Sequence, residues 1–339
     1  MVSLFLFFLC NVTPPPQQIP FLCQSRANPA FISQIFTFSL KLFQKNQKKK
    51  VKLTFQSNRI HAFKINSHLV LAMLNDEDID RILSELLHTH GYDFTFYSRE
   101  SLKRRLNKLY RLEKYTSPEV YLHKIHNDPS YIEHLVNRIT VSVTEMFRDA
   151  EFFAELRTKV LPELAHRKQI KIWHAGCSSG EEVYSMAILL QEAGLLERST
   201  LYGTDINRRV LDKAGKGAYP LSLLRLYENK YLASGGQRSL TEYYKLQGEQ
   251  GVFHHSLRKH MLFSEHNLAT HKGIEQTDLI VCRNVVIYFD RELQCRVFDL
   301  FNHCLLPDSF LALGEKESIA VSSIAKTYNA LGKQKIWKK

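Results

Sequence analysis

Apolar residues recur with helical spacing from Asp76 to Gly91, where Ile79, Ile82 and Leu86 lie three or four positions apart. Three more helices are predicted after this one, because three sites offer residue types that cap helix N-termini, twice followed by Pro. Those sites are Ser98, Ser117-Pro118 and Asp128-Pro129. Residues 73–137 are therefore predicted to form a small all-α domain.

Short apolar runs alternate with helical segments after residue 138, which is typical of a doubly wound, mainly parallel sheet with its ligand at the carboxyl ends of the strands. The predicted strands are Ile170–Trp173, Leu201–Thr204, Leu279–Cys282 and Phe310–Leu313, and the predicted helices are Glu181–Leu196, Arg208–Lys216 and Glu292–Leu305. Residues 219–266 interrupt this alternation and are predicted to form a small antiparallel β-insert. Its predicted strands are Tyr243–Leu246, Val252–His254 and Met261–Phe263.

The first 72 residues differ in composition from the rest of the chain. They hold ten of the 21 Phe, nine of the 46 Lys and Arg, and none of the 34 Asp and Glu. The apolar run Val2–Cys10 is too short to span a bilayer and lacks the basic start and small-residue cleavage site of a secretory signal. A transit peptide would hold more Arg. We expect a translated A/T-rich leader outside the native protein, with Met73 as the native start.

The formal net charge of +12 suggests at first a nucleic-acid or membrane partner. Residues 73–339, however, carry 37 basic residues against 34 acidic ones, so neither nucleic-acid binding nor direct membrane insertion is expected. One local excess of basic residues remains, in segment 99–111, where Glu100 is the single acidic residue. Its basic residues are Arg99, Lys103, Arg104, Arg105, Lys108 and Arg111.

Cysteines and histidines indicate neither disulfides nor a metal. The six Cys form no C-x-x-C pair, and those after Met73 lie in or near apolar runs, as expected for a reduced cytoplasmic protein. The histidine pairs lack the Cys or acidic partners that would complete a ligand set, so no metal site is expected. These pairs are His88-x-His90, His123-x-x-His126 and His254-His255.

The loop after the first predicted strand is the strongest candidate for a ligand site. Gly176 and Gly180 let the backbone turn tightly there, and Glu181 and Glu182 open the next helix. Two carboxylates at a helix start would repel a pyrophosphate but suit an ammonium or hydroxyl groups. Asp205, at the end of the second strand, can accept both hydroxyls of a ribose. A nucleoside without phosphates fits, and S-adenosylmethionine is the common cofactor of that description.

Six motifs occur along residues 144–318: Thr144–Asp149, Trp173–Ser185, Gly203–Ile206, Asn267-Leu268, Cys282–Asp290 and Leu313–Ser318. In order and spacing they resemble the CheR family, the S-adenosylmethionine-dependent methyltransferases that esterify glutamates of chemotaxis receptors. The resemblance covers about residues 76–338. It implies an α/β fold: a Rossmann-like methyltransferase domain over residues 138–339 with an antiparallel β-insert at about 219–266, preceded by the all-α domain.

The resemblance also implies site residues. Arg148 and Tyr288 would lie nearest the transferring methyl group, whose loss leaves S-adenosylhomocysteine. Two motifs depart from the family pattern: Ser142 stands where Asn is common, and Gly314-Glu315-Lys316-Glu317-Ser318 replaces the commoner Gly-His-Ser-Glu-Ser. The cofactor would be held by Ser142, Thr144, Arg148, Glu182, Asp205, Asn267, Leu268, Arg283 and Asn284.

The family further implies a partner, the acidic helices of a methyl-accepting receptor, docked by the basic helix 99–111 and the β-insert of a monomeric enzyme. A purely solvated basic face is the alternative for that helix. Two other functions stay open, a carboxyl methyltransferase outside chemotaxis and a catalytically idle module that binds the cofactor. A nucleic-acid methyltransferase is disfavoured, because Cys282-Arg283-Asn284-Val285 stands where such enzymes carry N/D-P-P-Y/F.

Overall fold

The computed structural model describes residues 73–140 and 144–339. The expected leader at residues 1–72 and the predicted cofactor residue Ser142 lie outside the described residues. No helix of the described ranges combines the length and the apolar composition needed to cross a membrane.

Residues 73–140 form the predicted all-α domain. The first helix is capped by Asn75, and Gly91 ends it in the left-handed conformation with φ of 75°. Ser117 and Asp128 cap the third and fourth helices as predicted, whereas Ser98 stands at the start of the second without a capping hydrogen bond from its side chain. The helices are α1 Asp76–His90, α2 Arg99–Leu112, α3 Pro118–Asn127 and α4 Pro129–Ile139.

The second domain is built on a seven-stranded sheet in the order β6-β2-β1-β7-β8-β10-β9. The first five strands in this order, from β6 through β2, β1 and β7 to β8, are all parallel to their neighbours, and β10 runs antiparallel to β8 and β9. The strands of this sheet are β1 Ile170–Ala175, β2 Ser199–Asp205, β6 Met261–Glu265, β7 Thr277–Cys282, β8 Leu305–Leu313, β9 Asn329–Ala330 and β10 Ile336–Lys338. The fold class expected from the sequence is confirmed.

Helices cover both faces of this sheet. Side chains alternate along β1, so that Ile172 joins the apolar cluster on the face of α7 while Trp173 joins the cluster on the face of α11. The helices of this domain are α5 Ala150–Glu155, α6 Leu161–Leu164, α7 Glu181–Glu192, α8 Arg208–Lys216, α9 Leu221–Ala233, α10 His255–Arg258 and α11 Arg291–Cys304, with a π-turn at Leu156–Val160 and 3₁₀ turns at Leu196–Arg198, Leu240–Tyr243, Val286–Tyr288, Ile319–Val321 and Ser323–Lys326.

A second, three-stranded antiparallel sheet forms the insert, in the order β3-β5-β4. The sequence prediction was wrong in one detail, since Met261–Phe263 belongs to β6 and pairs in parallel with β2 at the edge of the main sheet. Met261 is buried while Leu262 is 53% exposed, because one face of this edge strand is open to solvent. The same alternation is typical of strands in a small antiparallel sheet, which explains the wrong assignment. The insert strands are β3 Ala218–Pro220, β4 Tyr244–Gln247 and β5 Gln250–Phe253.

Gly176 occupies the tightest point of the loop after β1, and we expect Gly176→Ala to destabilise the protein. Its φ is +80°, and an added Cβ would lie 2.4 Å from a methyl carbon of Val285. Gly194 is a matched control, because its φ is +68° and nothing lies within 4 Å of an added Cβ. Both substitutions carry a backbone penalty of about 1 kcal/mol, and the clash adds about 1–3 kcal/mol at residue 176 alone.

Chemical denaturation measures this difference in the free energy of unfolding. Equal losses for Gly176→Ala and Gly194→Ala would show that the Val285 contact costs nothing.

Candidate functional site

A pocket lies at the carboxyl ends of β1, β2 and β7, where the all-α domain meets the sheet. It brings together the predicted residues Thr144, Arg148, Glu182, Asp205, Leu268, Arg283, Asn284 and Tyr288. Asn267 is not in its lining. The remaining lining residues are Tyr97, Arg105, Thr140, Gly176, Cys177, Ser178, Ile206, His266, Val285 and Phe289.

Asp205 is fixed by backbone groups at the end of β2. Its two carboxylate oxygens each accept one backbone N–H, from Ser178 at 2.9 Å and from Asn207 at 3.0 Å. Burial raises the pKa of Asp205, and these N–H groups offset part of that rise. A carboxylate oxygen accepts more than one hydrogen bond, so both oxygens keep capacity for a pair of ligand hydroxyls.

Glu182 and Arg283 form the buried charged centre of the pocket. Glu182 accepts from Arg283 Nη1 at 3.0 Å and lies 3.1 Å from His174 Nδ1. Arg283 also pairs with Asp149 at 2.5 Å and stacks 3.9 Å from the ring centroid of Phe152. Burial raises the pKa of Glu182, but the hydrogen bond to His174 and the charge of Arg283 outweigh it, so this pKa lies below its ordinary value.

The segment after β7 carries Asn284 and Tyr288 into the pocket. Asn284 has φ of 60°, and its side-chain Oδ1 is buried with no hydrogen-bond partner among the described residues. Ser178 Oγ, also in the pocket lining, is buried and unpartnered in the same sense. Buried polar atoms are rarely left unpaired, so the pocket fits a ligand that offers polar groups at these two points.

Arg148 stands on a strained loop before α5. Its neighbours Phe147 and Asp149 have φ values of 52° and 58°. The described residues give its guanidinium neither a hydrogen bond nor an ion pair, and the neighbouring Asp149 pairs with Arg283. The loop therefore presents a cation to the pocket without neutralising it.

Asn267 supports the pocket wall from beside it. The side-chain Oδ1 of Asn267 accepts a hydrogen bond from the backbone N–H of Ala269 at 2.9 Å, and the backbone N–H of Asn267 donates to His271 Nδ1 at 3.2 Å. This turn holds Leu268 in the lining. The sequence prediction of Asn267 as a direct cofactor contact stays a prediction.

Three pocket residues that the sequence analysis did not assign come from the all-α domain, namely Tyr97, Arg105 and Thr140. Tyr97 packs edge-on against Phe289, with ring centroids 5.0 Å apart, and Arg105 lies 4.5 Å above the ring of Tyr288. The backbone joins the domains at the same place, since Ser98 N–H donates to the carbonyl of Tyr288 at 2.7 Å. Arg105 was visible in the sequence only as one base of a basic helix.

No group of three His, Cys, Asp or Glu residues in the described ranges is arranged to bind a metal. The polar groups of the pocket instead suit a nucleoside that carries an amino-acid chain. Asp205 can take its ribose, and Glu182 can take an ammonium group, as expected for S-adenosylmethionine.

Comparisons with known proteins identify the same cofactor. Residues 142–335 match the family described as "CheR methyltransferase, SAM binding domain", and residues 77–140 match "CheR methyltransferase, all-alpha domain". The putative methyltransferase Cher3 of Pseudomonas putida is 40% identical over 265 residues, which cover 78% of this chain and 97% of that protein.

Two proteins named for chemotaxis are more distant relatives. The chemotaxis protein methyltransferase of Borreliella burgdorferi is 28% identical over 73% of this chain and 89% of its own length. Chemotaxis protein methyltransferase 2 of Pseudomonas aeruginosa is 29% identical over 73% of this chain and 88% of its own length. These matches show that the chain belongs to the CheR methyltransferase family and that its cofactor is S-adenosylmethionine.

Proposed function

We propose that this enzyme transfers a methyl group to glutamate carboxylates of chemotaxis receptors, forming a methyl ester and S-adenosylhomocysteine. The observation that carries the proposal is the charge of the pocket. Arg105 from the all-α domain and Arg148 from the loop before α5 both line it, and Arg105 lies over the ring of Tyr288. Neither guanidinium pairs with an acidic side chain among the described residues, so the pocket favours an anionic acceptor.

The bound cofactor supplies an activated methyl group on a sulfonium. A glutamate acceptor is already ionised at neutral pH, so the protein need not supply a general base. Its task is to position the acceptor and to exclude water, which accounts for most of the rate enhancement in such a reaction. Arg148 is the candidate to orient the carboxylate, because a planar guanidinium donates two parallel hydrogen bonds. Tyr288 lines the same pocket.

The basic helix α2 divides its cations between three tasks. Arg99 and Lys103 form ion pairs with Asp80 and Asp76 of α1, at 2.5 and 2.7 Å, and Arg105 turns to the pocket. Three exposed cations remain at helical spacings of four and three, with no acidic partner in the described residues. We name this set the basic stripe: Arg104, Lys108 and Arg111.

The basic stripe is the surface we assign to the acidic receptor helix. It lies on the same helix as Arg105, so a receptor helix bound there is held close to the pocket. The insert offers a second contact, because β4 is the edge of its sheet and Leu246 on it is 68% exposed. An extended peptide can add a strand at such an edge. This acceptor would place the monomeric enzyme in the cytoplasm, on the receptor's signalling side.

The proposal is tested by incubating the protein with radiolabelled S-adenosylmethionine and membranes that contain a chemotaxis receptor. We expect label in the receptor, released as methanol by mild alkali, as for a carboxyl ester. Label in a different protein would favour a carboxyl methyltransferase outside chemotaxis. Binding of S-adenosylhomocysteine without any transfer would favour an idle module.

The double variant Arg104→Glu/Lys108→Glu is expected to raise KM for the receptor about tenfold by placing like charges against an acidic helix. The kcat and the affinity for S-adenosylhomocysteine should not change, and the effect should shrink at high salt. The matched control is Lys168→Glu/Lys326→Glu, which makes the same charge change on exposed lysines elsewhere. An equal rise in KM for the control would remove the basic stripe from the docking surface.

A further inference from the structure

A buried carboxylate behind the pocket, that of Glu317, is surrounded by backbone donors. Oε2 accepts the N–H groups of Asn284 at 2.8 Å and Gly314 at 2.6 Å. Oε1 accepts those of Val285 at 2.8 Å and Ile287 at 3.3 Å. Glu317 is 3% exposed. Gly314 begins the turn that Glu317 closes, since the N–H of Glu317 donates to the carbonyl of Gly314 at 2.9 Å, and the other three donors lie in the segment after β7.

Three of these donors belong to the segment that carries Asn284 and Tyr288. The segment leaves β7 through Asn284, whose left-handed φ of 60° is uncommon for a residue with a side chain, and continues into the 3₁₀ turn Val286–Tyr288. The first N–H groups of such a turn have no partner within it. Glu317 provides partners for residues 284, 285 and 287, and it joins this segment to the turn that follows β8.

Gly314 allows the carboxylate to reach this position. A Cβ at residue 314 would lie 2.8 Å from Glu317 Oε2 and 2.9 Å from the backbone nitrogen of Asn284. The two intervening residues, Glu315 and Lys316, are exposed and outside the pocket lining. The departure from the family motif at these two residues therefore leaves the Glu317 contacts intact.

We infer that Glu317 is a positioning residue that sets the cofactor pocket by holding the segment 284–288. It touches neither pocket space nor ligand directly, since it is absent from the lining. It acts through two residues that line the pocket, Tyr288 and Asn284, and the Oδ1 of Asn284 has no hydrogen-bond partner among the described residues. The effect on cofactor binding depends only on family membership, whereas the effect through Tyr288 on methyl transfer rests on the proposed function.

Glu317→Gln tests this inference with almost no change in shape. The amide presents an NH₂ to two backbone N–H donors, so those donors lose their acceptor and the segment shifts. We expect the Kd for S-adenosylhomocysteine, measured by calorimetry well below the unfolding temperature, to rise about tenfold. Receptor methylation, where it occurs, should lose about a hundredfold in kcat, as for a misplaced reacting group.

Asp278→Asn is the control for a merely structural role. Asp278 is 2% exposed, accepts the backbone N–H of Lys171 at 2.9 Å and pairs with Arg167 at 3.4 Å, but it lies at the opposite end of β7. We expect this variant to lower the unfolding temperature as Glu317→Gln does while leaving the Kd within twofold of wild type. Glu315→Gln, at an exposed neighbour, should change neither quantity.

Wild-type affinity in folded Glu317→Gln, or an equal loss in Asp278→Asn, would overturn the inference. If Glu317→Gln does not fold, Glu317→Asp decides, because it keeps both oxygens but is shorter by one methylene. We expect a threefold to tenfold rise in its Kd, an order-of-magnitude figure for weakened hydrogen bonds, and an unchanged Kd would overturn the inference. If Glu317→Gln binds the cofactor more weakly and the wild type itself methylates no receptor, the positioning role of Glu317 is supported and the proposed acceptor is refuted.

Discussion

Arg148→Ala is expected to lower kcat for receptor methylation by about two to three orders of magnitude, the usual cost of removing one preorganised donor from a charged reaction. The guanidinium lines the pocket and makes no hydrogen bond or ion pair with the described residues, so its removal breaks neither kind of bond there. The unfolding temperature should therefore stay at the wild-type value. Methyl transfer under saturating cofactor, together with thermal unfolding, measures both quantities.

Arg148→Lys separates charge from geometry. A lysine keeps the positive charge but not the planar pair of donors, so it should restore part of the lost kcat and not all of it. Affinity for S-adenosylhomocysteine should fall by less than kcat in both variants. Wild-type kcat in Arg148→Ala would refute the assigned role, and a stability loss equal to the activity loss would make Arg148 structural.

Local patterns were sufficient to predict most of the fold. Helix starts at Ser117 and Asp128 and the end at Gly91 depend on neighbouring residues alone, and the structure confirms them. The strand at Met261–Phe263 was also predicted, but it was assigned to the antiparallel insert, whereas it pairs with β2 of the main sheet. An edge strand with one open face carries the same alternation in either sheet, so pairing depends on the chain before and after it rather than on its own residues.

The pocket was predictable where a motif residue faces it directly, as Asp205 and Glu182 do. It was not predictable where contacts join distant parts of the chain. Arg105 reaches Tyr288 only because the all-α domain docks on the segment after β7. Glu317 has the same property, since three of its four donors lie about 30 residues earlier and all four are backbone groups, which leave no mark in side-chain patterns.

Arg283→Met is expected to destabilise the protein by about 3–5 kcal/mol at pH 8, because removing one partner of a buried ion pair leaves uncompensated charge. Arg283 is 8% exposed and is the cation between Glu182 and Asp149. Methionine keeps much of the side-chain length and its packing on Phe152. The matched control is Arg238→Met, whose partner Glu242 is 50% exposed, and its loss should stay below about 1 kcal/mol.

The pH dependence of this loss identifies Glu182 as the group left without its partner. In the wild type the pKa of Glu182 lies below its ordinary value, so its ionised form stabilises the fold above the pKa of the unfolded chain, and this contribution is lost as the pH falls through the folded pKa. Burial raises the pKa of Glu182, and the charge of Arg283 lowers it. In Arg283→Met this pKa is therefore higher than in the wild type, so Glu182 becomes protonated as the pH falls and its buried charge is removed. The difference in unfolding free energy between wild type and Arg283→Met should therefore narrow from pH 8 to pH 5, as measured by urea denaturation. A difference that is constant with pH would assign the loss to packing on Phe152 rather than to charge.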